Sequence, residues 1–79
     1  MKIEYDQQAD AMYIRLRAGN VVKSEEIRPG VVFDYDVEGK LLGIEMLDMS
    51  ERTDNPRELT MCYVRRSLGS VTPLRPSFI

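Results

Sequence analysis

Five carboxylates fall within residues 31–48, VVFDYDVEGKLLGIEMLD: Asp34, Asp36, Glu38, Glu45 and Asp48. Asp34 and Asp36 stand two residues apart, which places them on one face if the segment is a strand. Glu45 lies on the returning segment, where opposing Cβ atoms in a strand pair approach to about 4.5–5.5 Å. Paired carboxylates of this kind suit two chemistries: oxygen ligation of magnesium or calcium, and general acid–base work. The plainer alternative is one wet, charged sheet face, with Arg15 and Arg17 supplying cross-strand counter-charges. The residues favour that alternative, because nothing else converges on Asp34 and Glu45. Asp36 has a structural role of its own, capping the turn that follows it.

What the chain lacks narrows the chemistry further. It has no histidine and one cysteine, Cys62. Ser-His-Asp and Cys-His hydrolysis both need an imidazole to accept the nucleophile's proton. A zinc staple needs a denser set of His and Cys ligands. Cys62 sits among apolar residues and reads as a small buried hydrophobe rather than a nucleophile. The glycines in PG, EGK and LGS are isolated turn residues, not a phosphate cradle. No enzyme activity, cofactor or metal is expected on these grounds.

The elements that must position these residues are short. Period-two segments separated by turn signals fill the first 48 residues, the pattern of an antiparallel meander of about five strands. In KIEY, Ile3 and Tyr5 share a face. In AMYIRLR, Met12, Ile14 and Leu16 point inward while Tyr13, Arg15 and Arg17 point outward. AGN is read as a short hairpin turn. VVKSEEI is polar on both faces in its middle and belongs at an edge or an interface. RPG suits a type II turn. VVFDYD puts Val31, Phe33 and Tyr35 on one face and Val32, Asp34 and Asp36 on the other. DVEGK suits a type I turn with Gly39 left-handed, closing on a bulge. LLGIEML returns with Leu42, Ile44 and Met46 inward, and the mid-strand Gly43 marks a bulge or a close approach. The aromatic set Tyr5, Tyr13, Phe33 and Tyr35 alternates with acids, which points to core or interface rather than to base stacking.

The pattern changes after Leu47. Through Asp54 the chain holds seven Lys/Arg against twelve Asp/Glu, and beyond it four Arg against one Glu. Two parts follow: an antiparallel β domain at 1–53, and a C-terminal helix or extended arm at 54–79 that packs on the sheet or on a partner. NPRE offers a helix start, with Asn55 as cap, Pro56 in the first turn and Glu58 in the third position. Residues 59–68 suit a helix ending at Gly69, or a strand. The last ten residues, with two prolines, read as an extended arm. Arg57, Leu59, Tyr63, Arg65 and Arg66 form a candidate interface, since a basic segment with apolar residues suits an acidic partner surface.

Seventy-nine residues suffice for one small domain. Such a domain buries only about 60–65% of its unfolded surface, and with one cysteine no internal disulfide can assist. A homo-oligomer, dimer or larger, is therefore expected. The net charge of −2 argues against nucleic acid as main partner. MKIEYDQQAD carries charges where a signal peptide needs an apolar run, nothing reaches transmembrane length, and a lone thiol fits the cytoplasm.

YDQQADAMYIRL followed by SEEIRPGVVFDYDVEGKLLGIEMLDMS resembles the bacterial family called domain of unknown function 2283, or YuzE-like. Its pattern is a Tyr-Asp turn, a YIRL-like strand, a Pro-Gly turn, DYD-xx-G and GIE-(I/M)-L. The resemblance covers residues 3 to about 50. It implies a small β-rich domain without established catalytic residues, suspected of antitoxin roles because members tend to be encoded beside small toxin-like proteins. It assigns no role to Asp34, Asp36, Gly39, Gly43, Ile44 or Glu45. Three readings stay open: a partner-binding module, antitoxin-like in its sharpest form; a self-associating structural domain; and a carboxylate-metal hydrolase using Asp34 and Glu45.

Overall fold

Strand-forming residues in period-two alternation build five strands, β1 (Lys2–Asp6), β2 (Ala11–Arg15), β3 (Lys23–Arg28), β4 (Val31–Tyr35) and β5 (Leu41–Met46). One short helix follows, α1 (Met49–Arg52). The computed structural model describes residues 1–66. The expected end of a helix at Gly69 and the extended arm at 70–79 lie outside the described residues. The strands form one antiparallel sheet in the order β1-β2-β5-β4-β3.

That order corrects the simple meander. β1 and β2 are a hairpin and β3-β4-β5 are a meander, but β2 pairs with β5 rather than with β3. Residues 16–22, which include the AGN segment, are therefore a crossover and not a hairpin turn. The crossover passes the Leu42 end of β5, where Leu16 N–H and Arg17 N–H both donate to the Leu42 carbonyl. It then reaches β4, where Val22 N–H donates to the Tyr35 carbonyl at 2.9 Å. Leu42 is the extra residue of a bulge opposite Asp34 and Tyr35. Gly19 packs on its side chain, and Leu42 is fully buried.

The other turns follow their local chemistry. Asp36 accepts from Glu38 N–H and Lys40 N–H, both at 2.9 Å, and Gly39 beyond it takes φ 84°. Gly30, after Pro29, takes φ 79° as the expected turn requires. β3, exposed along its length, is an edge strand as anticipated.

After β5 the chain turns into α1 across the opposite end of the sheet from the crossover. Leu47 N–H donates to the Gly30 carbonyl, and Met49 N–H to the Asp10 carbonyl. The Arg52 guanidinium donates to the carbonyls of Leu47 at 2.6 Å and Pro29 at 3.0 Å. Met49 is buried beneath this connection. The expected helix start at NPRE is corrected. Arg57 N–H donates to Asn55 Oδ1 and Glu58 N–H to the Asn55 carbonyl, so the motif closes one isolated turn. Residues 59–66 form neither helix nor strand. Leu59, Met61, Tyr63 and Val64 are all exposed, and a short helix needs tertiary packing to persist.

Candidate functional site

With both ends of the sheet capped, its two faces differ in kind. Pairing registers bring Ile3, Ile14, Ile44 and Phe33 into one cross-strand row. Tyr5, Met12, Met46 and Val31 form the next row on the same face. All eight are only half-buried, and Phe33 and Tyr35 meet edge to face with centroids 6.5 Å apart. Among the described residues, the buried apolar side chains are Leu42 and Met49, one at each end of the sheet. The face meant for a core is therefore half open. Of the aromatic set, Tyr5, Phe33 and Tyr35 lie on or beside this surface, whereas Tyr13 lies on the opposite face.

Two grooves mark the edges of the apolar face. One, along β1, is lined by Ile3, Tyr5, Met12, Pro56, Arg57 and Leu59. The other, along β3, includes Val22, Lys23, Glu25 and Tyr35. Of the candidate interface residues, Arg57 and Leu59 thus reach the apolar face. Tyr63, Arg65 and Arg66 are exposed beyond it.

The opposite face is polar but not simply wet. Tyr13, Asp34 and Ser24 belong to β2, β4 and β3, and Gly43 of β5 stands in the row with Asp34 and Ser24. Because Gly43 has no side chain, the Tyr13 ring lies over β5 and reaches Asp34 on β4. Ser24 Oγ donates to Asp34 Oδ1 at 2.5 Å from the other side. Asp34 is 7% exposed, which corrects the expectation of a solvated carboxylate. Burial raises the Tyr13 hydroxyl pKa above its ordinary value, and its hydrogen bond to Asp34 raises it further. Arg15 stacks on the Tyr13 ring, with Cζ 5.5 Å from the centroid. Among the described residues the ion pairs are Lys2–Glu4 and Lys40–Glu38, so Arg15 and Arg17 are not the carboxylates' counter-charges.

Asp34 and Glu45 share this face but do not converge. Asp34 is opposite Gly43, and Glu45 is opposite Val32 on one side and Tyr13 on the other. Such diagonal neighbours stand about 7–8 Å apart. Asp36 is occupied in its turn. Among the described residues no three of His, Cys, Asp and Glu are placed to hold a metal. Cys62 is exposed, not buried as its neighbours suggested.

Sequence reading missed two positions that tie elements together. Asp10 lies in DQQAD, a turn-rich gap between the first two strands with no residue singled out by its sequence. It takes φ 53° and its carboxylate accepts from Tyr5 Oη at 2.7 Å, Ser50 Oγ at 2.6 Å and Ser50 N–H at 3.0 Å. The Ser50 bonds, followed by that from Tyr5, hold the Asp10 pKa below its ordinary value. The Tyr5 hydroxyl is correspondingly raised, chiefly by its bond to Asp10. The second is Ser24, whose partner Asp34 lies on another strand. Only the mid-strand Gly43 signalled that something crosses the sheet there.

Among the described residues, the fold and its two faces define a small single-layer antiparallel β sheet with an incompletely covered apolar face and a polar row behind it. The family model described as "Protein of unknown function (DUF2283)" matches residues 2–50, and the chain belongs to that family. The match spans all five strands and the first residues of α1. No match was found among curated proteins or among solved structures. Among the described residues no helix is long and apolar enough to cross a membrane.

Proposed function

We propose that this chain is a binding module that acts by protein–protein contact, with the apolar face as its docking surface, and that it has no catalytic role. The observation that carries this reading is the incomplete burial of Ile3, Met12, Ile14, Val31, Phe33, Ile44 and Met46 on one continuous face of the described sheet. Contiguous apolar surface of this kind on a small protein marks an interaction site. Single exposed apolar residues would carry no such meaning. Arg57 and Leu59 extend the surface along β1, and apolar contacts rimmed by charge are the ordinary anatomy of an interface.

The family resemblance supports an antitoxin-like form of this role, with a small co-encoded protein as partner. Self-association is the second reading, favoured by the shortage of buried apolar side chains among the described residues. An exposed Cys62 is compatible with either in a reducing cytoplasm. Isothermal calorimetry separates the readings. Titration of the chain with the product of the small gene beside its own, and dilution of the chain alone, each report association. At least one should show the negative heat-capacity change that apolar burial produces. Absence of that signature from both titrations would overturn the docking role.

A further inference from the structure

We infer that β1 is a dimerisation edge: two copies of this chain join β1 to β1, antiparallel, about a two-fold axis that passes through Ile3 perpendicular to the sheet. This surface is distinct from the docking face proposed above and goes beyond that role. Backbone direction decides which groups the edge offers. Leu16 N–H donates to the Leu42 carbonyl at 2.7 Å, in step with the pairs Ile14–Ile44 and Met12–Met46. Alternate residues of an antiparallel strand bond to the same neighbour. Met12 and Ile14 therefore bond to β5, while Ala11, Tyr13 and Arg15 bond to β1. Their partners Asp6, Glu4 and Lys2 turn their backbone groups inward. Ile3 and Tyr5 turn theirs outward, and among the described residues β1 has a neighbour on one side only.

The two edges of the sheet are not equally open to another strand. β3 is interrupted by a bulge between Glu26 and Arg28, a feature that blunts edge pairing. β1 pairs without interruption from Lys2 to Asp6 and contains no proline. Strand addition at such an edge is a common mode of recognition.

Charge selects the register. A closed dimer joins the same patch on both copies, so β1 must complement itself. With Tyr5 on the axis, Glu4 faces Asp6 of the second copy twice. With Glu4 on the axis, Glu4 faces its own image. Lys2 then meets an Asp6 that already accepts from Gln8 N–H and Ala9 N–H. With Ile3 on the axis, Lys2 faces Glu4 of the second copy twice. Lys2 and Glu4 already pair along one strand at 3.7 Å, so the four side chains close a square of alternating sign. Like charges stand on its diagonals, at about 7–8 Å rather than the 4.5–5.5 Å of opposed pairs. Arg15, beside Lys2 on β2, adds to the attraction for the incoming Glu4, and Glu45 stands two strands away on β5. On the apolar face Ile3 meets its image, and Tyr5 covers Met1, which is 83% exposed in the single chain. The row Ile3, Ile14, Ile44, Phe33 continues into its own image, so one docking surface spans both copies.

Amide exchange and sedimentation equilibrium of the full chain test this. The Ile3 and Tyr5 amides should exchange freely in dilute protein and about fivefold more slowly once the dimer forms. Those of Glu4 and Asp6, bonded to β2, should change less. Lys2→Glu and Glu4→Lys are changes at exposed positions of β1. Each sets like charges against each other twice and should raise the dimer dissociation constant about tenfold. Combined in one chain, they should return it to within about threefold of the unaltered protein, because the square is restored in reverse. A monomer at every concentration would overturn the proposal. So would a dimer whose Ile3 and Tyr5 amides exchange as they do in dilute protein, since the contact would then lie elsewhere. Slowed amides with a dissociation constant indifferent to all three charge variants would overturn the axis through Ile3.

Discussion

A methyl group added at Gly43 would lie 2.6 Å from Cζ of Tyr13 and 3.0 Å from the carbonyl oxygen of Ile14. The backbone oxygen cannot yield without disturbing the β2–β5 pairing. Gly43→Ala is therefore expected to destabilise the sheet by about 1–3 kcal/mol, the usual range for overpacking. Urea titration measures this directly, and a Tyr13→Ala background should reduce the effect because the ring is then absent. An unchanged urea midpoint in Gly43→Ala would show that Tyr13 does not occupy this position. Asp34 depends on the same crossing. Asp34→Ala leaves the Ser24 hydroxyl without its acceptor, which costs about 1.5–3 kcal/mol, the range for a hydrogen bond to a charged group. Asp34→Asn keeps a carbonyl oxygen and should lose less. Equal stabilities for the two variants in urea would mean the carboxylate is solvated after all. Strand alternation in the sequence placed Asp34 on the polar face correctly. Its burial was not legible, because that depends on a ring from one strand crossing a second to reach a third.

At the scale of elements, Asp10 and Arg52 lash α1 to the turns at one end of the sheet. Asp10 binds Ser50 across forty residues of chain, and Arg52 reaches Pro29. The folded-state pKa of Asp10 lies below its ordinary 3.8. Its contribution to stability is thus present above that ordinary value and lost as pH falls through the depressed one. Asp10→Asn keeps a residue that tolerates the left-handed backbone while removing the charge. The unaltered chain should be the more stable of the two at neutral pH. Their urea midpoints should converge as the pH drops below about 4; a gap that stays constant to strong acid would contradict this. The strands and two of the turns were legible because alternation, Pro-Gly and Asp-x-x-Gly are local signals. The strand order was not. AGN resembles a hairpin turn on its own, and only the long-range pairing of Ile14 with Ile44 shows that the chain crosses over instead. The Asn-Pro-x-Glu start failed for the converse reason. Its capping chemistry is present at Asn55, but one turn without a packing partner does not propagate.

For the molecule as a whole, a single sheet layer has to find a second layer, since a sheet's apolar face is stable only against another element. A chain that ends at Arg52 still holds the ties from its guanidinium to the Leu47 and Pro29 carbonyls. A chain cut after Arg52 should keep its β-sheet circular dichroism, while losing Arg57 and Leu59 from the docking surface should weaken its association. Light scattering that finds the shortened chain associating as tightly as the full one would place the interface on the sheet alone. The claim that the apolar face is the working surface is tested most directly by the solvent accessibility of its methyl groups. Paramagnetic relaxation of the methyls of Ile3, Ile14 and Ile44 by a soluble gadolinium chelate can be followed from dilute to concentrated protein, and again with any candidate partner that calorimetry identifies. Relaxation should fall at all three as the complex forms, while Val32 on the polar face keeps its own. If the three isoleucines remain equally accessible throughout and protection appears at Val32 instead, the docking surface lies on the other side of the sheet.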